Sequence, residues 1–182
     1  MIRGYLILCM LLGVALSGNG QTQETKKDAP LRLLLSEVQP GTMSSEQYCM
    51  LVFDDHHFHA EKAILSNGKD RERKIYEENL SDADWNTLNR ILENDELRKL
   101  NVKPGYAPLA MQGVHPLAIS VRRGTEFQNL EFVDDSSRKP YDAQLKPLFQ
   151  WWKSTRSRRM PVSEAPVDSR CTPDSSHGIF SY

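Results

Sequence analysis

The stretch Ser81–Leu100, SDADWNTLNRILENDELRKL, constrains the fold more than any other part of the chain. Ser81 suits an N-cap, because its hydroxyl can accept from the amide of Asp84 at the third helical position. Asp82 and Asp84 place negative charge at the positive end of the helix dipole. Trp85, Leu88, Ile91 and Leu92 recur at three- and four-residue spacing and form one apolar stripe. A helix of this kind needs a surface to lie on. Asn94-Asp95 interrupts the stripe, and Asp95 is expected to cap a second short turn that brings in Leu97 and Leu100.

Segments with strand character flank that helix. Leu31–Val38 has Leu31, Leu33 and Leu35 expected on one face. Gln47–Phe53 is apolar at nearly every position, as in a strand covered on both sides. His57–Leu65 alternates, with Phe58, Ala60 and Ile64 on one face. Asn67-Gly68 then marks a hairpin into Arg71–Glu77, whose charges suit an edge. After a turn-rich connection, His115–Arg122 returns to period two, with Leu117, Ile119 and Val121 aligned. Thr125–Val133 is the expected hairpin partner. Its parity is mixed, which predicts a bulge or burial on both faces. A second helix is expected from Pro140, carrying Tyr141, Leu145, Leu148 and Trp152 on one face and kinked or restarted at Pro147. The expected fold is α+β, with a five- or six-stranded, mainly antiparallel sheet and two helices packed on one face.

The first 17 residues have the form of a signal peptide. Arg3 precedes an apolar run from Tyr5 to Leu16 that is too short to span a bilayer, and small residues stand at the expected cleavage site after Ser17. Residues 18–30 are polar and are expected to be a disordered lead-in. Residues 31–153 form the expected domain, and residues 154–182 a largely disordered C-terminal tail. Secretion or a periplasmic location follows, with no membrane span after cleavage. The 23 basic and 24 acidic residues nearly balance, which gives no reason to expect nucleic acid as a partner. Of the three cysteines, Cys9 lies in the signal segment. Cys49 and Cys171 remain as disulfide candidates in an oxidising compartment. Asn79-Leu80-Ser81 is a glycosylation sequon.

His57, His59 and Glu61 lie two apart on one strand, so their side chains share a face. Such a set can supply imidazole and carboxylate ligands to zinc or copper, with His56, Asp55 or His115 as a fourth donor. The alternative is a polar strand surface. Asp54-Asp55 and Asp134-Asp135 are carboxylate pairs better suited to turns and caps than to acid–base chemistry. Ser120, His115 and an aspartate have no spacing that supports a triad. Motifs for a nucleophile elbow, a phosphate loop, a zinc protease helix or a redox dithiol are missing from the sequence, and no cofactor is expected. Trp151 and Arg122 are the candidates for contact with a partner.

The run YCMLVF, a hairpin, LSDADWNTLNRIL and a late hairpin resemble small secreted bacterial domains of unknown function, over about Gln47 to Val133. In those domains an antiparallel sheet leads into a helix that opens on an LS-x-x-x-W-like start. The resemblance implies a periplasmic or extracellular setting and transfers no catalytic or ligand residues. The functional expectation is an exported, non-catalytic module that binds a protein or envelope component. The alternatives are a metal protein using His57, His59 and Glu61, or an inhibitor that inserts the Val102–Gly113 loop into a secreted hydrolase.

Overall fold

The computed structural model describes residues 29–66, 69–102, 115–157, 169–173 and 180–181. The signal segment, most of the lead-in, the Asn67-Gly68 turn and nearly all of the Val102–Gly113 loop lie outside these. Six antiparallel strands form one open sheet: β1 (Leu31–Pro40), β2 (Ser45–Phe53), β3 (His57–Ser66), β4 (Lys69–Asn79), β5 (Leu117–Arg123) and β6 (Glu126–Phe132). Their order across the sheet is β4-β3-β2-β1-β5-β6. The fold is therefore α+β, with a first meander of four strands joined to a later hairpin through β1.

Helices α1 (Asp82–Leu92) and α4 (Asp142–Ser157) cover one face. Leu88 and Leu92 of α1 and Leu145, Leu148, Trp151 and Trp152 of α4 share a core with Leu33, Leu35, Met50, Val52, Phe58, Ile119 and Leu130 of the sheet. Ser81 caps α1 as its sequence predicts, accepting from the Asp84 amide at 3.2 Å. The next turn, α2 (Asp95–Arg98), is capped by Asn94 and not by Asp95, because the Asn94 side chain reaches the Glu96 amide at 2.8 Å. Leu97 is buried and Leu100 packs against the same core. Asp134 forms a capping box on α3 (Asp135–Arg138), a turn that stands where a polar connection was expected. Helix α4 continues unbroken through Pro147, so the expected restart there does not occur.

Two local features depart from the sequence pattern. Leu31 does not share a face with Leu33 and Leu35. The β1–β2 register slips between Leu31 and Leu33, and a slip of one residue moves a side chain to the opposite face. Leu31 thus joins Leu34, Cys49, Leu51, Phe53 and Cys171 in a smaller core behind the sheet. The same irregularity lets Arg32 reach the helix side, where it bonds Asn89 at 3.2 Å and Glu93 at 2.5 Å. In β6 the register with β5 is unbroken, so no bulge resolves its mixed parity. Leu130 and Phe132 are buried, and Phe127 is simply left 44% exposed on the edge strand.

The two-sided burial expected of Gln47–Phe53 is observed. Met50 and Val52 face the helices, while Cys49, Leu51 and Phe53 face the smaller core. That second face has cover because Cys171 lies on it, joined to Cys49 by a disulfide whose Cα atoms are 6.1 Å apart. The segment Ser169–Cys171 lies beyond Lys153, the domain boundary read from the sequence. Thr172–Pro173 (β7) continues from it and pairs with Phe180–Ser181 (β8).

Candidate functional site

The densest group of interacting ionisable side chains among the described residues lies on the sheet face opposite the helices. Strand β3 supplies it, because its odd-numbered residues point away from the core formed by Phe58 and Ala60. His59 and Glu61 are buried, with side chains 0% and 1% exposed. His59 Nε2 lies 2.8 Å from Glu61 Oε1, and His59 Nδ1 lies 2.6 Å from Glu77 Oε1. The other oxygen of Glu77 is 2.5 Å from His57 Nε2. The order is therefore His57, Glu77, His59, Glu61, with imidazole and carboxylate alternating.

Glu61 also receives the C-terminal segment. Its Oε1 accepts the backbone amides of Arg170 at 2.7 Å and Cys171 at 3.0 Å. Its Oε2 accepts the Ser169 hydroxyl at 2.7 Å and pairs closely with the Arg73 guanidinium. Arg73 in turn donates to Ser169 Oγ at 3.0 Å. One carboxylate thus gathers β3, β4 and the chain near Cys171, as a buried charge must if its desolvation is to be offset.

The titration of these groups follows from that geometry. Burial alone would raise the Glu61 carboxyl, but hydrogen bonds from His59, Ser169, the Cys171 amide and Arg73 outweigh it and hold the value down to about 2. Burial opposes charging of His59, yet hydrogen bonds to Glu61 and Glu77 outweigh that and raise its value above the ordinary 6.5. A charged His59 donating from both ring nitrogens suits two flanking carboxylates.

The sheet register explains why Glu77 takes part. A two-residue loop between Ser66 and Lys69 would by itself set Tyr76 opposite His59. The register shifts by one between Ile64 and Leu65, which puts Glu77 opposite His59 and Glu61 opposite Ile75. Tyr76 then falls opposite Ala60 and packs on the main core. Glu77, Arg73 and Ser169 are the functional-group partners that sequence reasoning missed. The Asn67-Gly68 hairpin was the signal for β4, but an unmarked bulge decides which of its residues meet the histidines.

The remaining candidates separate from this group. His57, His59 and Glu61 do share a face, but Glu77 stands between the two imidazoles. Among the described residues, the donors close enough to surround one ion are His59, Glu61 and Cys171, all within 4.8 Å of one another. His56 lies in the β2–β3 turn with φ of 69°, stacked on Trp85 at 4.6 Å and 3.5 Å from Asp82. Asp55 accepts the His57 amide at 3.1 Å. His115 and Asp55 are outside the converging set. Asp54 pairs with Arg122, and Asp135 with Arg138 at 3.1 Å, so both acidic pairs serve turns, caps and ion pairs.

Trp151, a candidate for partner contact, is only 6% exposed and belongs to the main core. Its position on α4 turns it inward beside Trp152, which takes it off the surface. Arg122 remains partly exposed and faces Phe127 directly across β5 and β6. An open depression of about 370 Å³ between α1, α2 and α4 is lined by Arg90, Ile91, Asn94, Glu96, Gln144 and Pro147. Arg90, Asn94 and Glu96 are exposed to solvent, unlike the desolvated groups that catalysis tunes. No described helix is long and apolar enough to cross a membrane.

Compared with known proteins, the sequence matches no family model, and no curated protein matches it significantly.

Proposed function

We propose that the protein is an exported, non-catalytic module that binds a protein or envelope component through its sheet surface. One observation carries this reading: the most chemically capable side chains, His59 and Glu61, are sealed from solvent and fully engaged in holding the Ser169–Cys171 segment against β3. Committed to internal closure, His59 and Glu61 do not face a substrate as acid or base. The Cys49–Cys171 disulfide favours an oxidising compartment, in line with the signal-like N-terminus.

Arg122 and Phe127 are the best-supported contact surface. They are cross-strand neighbours on the β5–β6 hairpin, at an open edge of the sheet, and Phe127 is a large apolar side chain that folding leaves uncovered. Site-specific photocrosslinking from position 127 in the native envelope tests the proposal. The expected result is a discrete crosslinked species that Arg122→Glu abolishes while the fold persists. Hydrolysis of a general esterase, glycosidase or peptidase substrate panel by the purified protein would overturn the non-catalytic reading.

A further inference from the structure

We infer that reduction of the Cys49–Cys171 bridge converts its surroundings into a zinc site made of Cys49, Cys171, His59 and Glu61. This inference stands apart from the proposed binding role and from a strand-face metal site that would use His57.

The disulfide is embedded among the other donors. Cys49 on β2 is paired directly with Glu61 on β3, and Leu51 with His59, so all project from the same sheet face. One donor atom from each of His59, Glu61 and Cys171 already falls within 4.8 Å of the other two, with all three residues buried. Cys49 is equally buried and is bonded to Cys171. Two thiolates, one imidazole and one carboxylate form a donor set that zinc takes in tetrahedral geometry.

The surrounding bonds would prepare this site. Glu77 accepts from His59 Nδ1 at 2.6 Å, which leaves Nε2, the nitrogen facing Glu61, as the ligating atom. A carboxylate holding the far nitrogen of a zinc-bound histidine is the arrangement that orients such ligands. The Arg170 and Cys171 amides bonded to Glu61 keep the Cys171 backbone at the sheet when the bridge opens. His57 is placed on the other side of Glu77 and takes no part.

The redox step balances with a dithiol or phosphine reductant. The dithiol closes to its own disulfide, or the phosphine is oxidised with water, and two electrons and two protons convert the protein bridge to two thiols. Zinc binding then releases the thiol protons and the proton on His59 Nε2. In the oxidised protein both sulfurs are committed to each other and the site is closed.

The test uses the full-length protein, reduced with a phosphine under anaerobic conditions. Cobalt(II) titration should give a thiolate-to-cobalt charge-transfer band at one equivalent, and competition with a chromogenic chelator should show one equivalent of zinc. The oxidised protein should give neither. His59→Gln, Cys49→Ser and Cys171→Ser should lose the site, whereas His57→Gln should keep it. Since a variant that fails to fold is uninformative by itself, X-ray absorption of the zinc-loaded wild type supplies an independent reading. Two sulfur ligands and at least one imidazole support the inference. It is overturned if the reduced protein binds zinc no better than the oxidised one, or if the metal shell lacks sulfur or imidazole. Binding that His57→Gln abolishes and cysteine substitution spares would likewise overturn it, and would favour the strand-face site.

Discussion

Cys49 and Glu61 face each other across β2 and β3, so the anchor of the disulfide and the carboxylate that receives the C-terminal segment are immediate neighbours. The covalent tie and the polar tie to Ser169–Cys171 therefore act at one place on the sheet.

Removing the carboxylate should uncouple both ties. Glu61→Ala removes a buried carboxylate that His59 and Arg73 both contact and strips the Arg170 and Cys171 amides of their acceptor. A loss of about 3–5 kcal/mol is expected, the cost of breaking a buried pair from one side. Urea denaturation under oxidising conditions measures it. A loss below about 0.5 kcal/mol, the range of ordinary surface changes, would contradict the assignment.

Stability should pass through a maximum with pH. The folded-state value of His59 is raised, so its contribution is complete below the ordinary 6.5 and is lost as pH rises through the raised value. The folded-state value of Glu61 is depressed, so its contribution is complete above the ordinary 4.5 and is lost as pH falls toward about 2. The network therefore contributes most between pH 4.5 and 6.5. Denaturation midpoints across the range report this, and His59→Gln should flatten the alkaline limb.

The disulfide joins residues 122 positions apart. Loop entropy then predicts that Cys49→Ala with Cys171→Ala costs about 4–5 kcal/mol. Calorimetry of the double variant against the oxidised parent gives the difference. Equal melting temperatures would mean that the polar contacts of Glu61 already confine the segment.

On the helix layer, three substitutions should each lower stability. Ser81→Ala removes one side-chain cap and should cost about 1 kcal/mol. Leu88→Ala opens a cavity in a fully buried position and should cost roughly 2–5 kcal/mol. Trp151→Ala should likewise act on stability, since Trp151 lies in the core. Parallel denaturation curves for the three variants rank them.

The periodic elements were readable from sequence because each carries its own signal. The cap at Ser81, the stripe of Leu88 and Leu92, and the two-faced run around Met50 and Leu51 all depend on residues close together in the chain. Two of the departures lie at one-residue irregularities. A slip near Arg32 sends Leu31 behind the sheet, and another near Leu65 delivers Glu77 to His59. Nothing in local composition marks either. The site was half legible: His57, His59 and Glu61 do share a face, but their partners come from β4 and from a segment more than 100 residues later, and only tertiary pairing brings those together.

Strand β1 pairs with β2 along one side and with β5 along the other, matching Leu35 to Met50 and to Ile119. Among the described strands, the earliest in the chain thus lies inside the finished sheet, and its second neighbour follows only after β4. Until residues 117–121 arrive, the hydrogen-bonding row beside Leu33 and Leu35 has no native partner, and an uncovered row of that kind invites pairing with other chains. Before β1–β5 closure, that row stays open to such pairing. Changes that weaken the β5–β6 hairpin should lower yield before they lower the stability of molecules already folded.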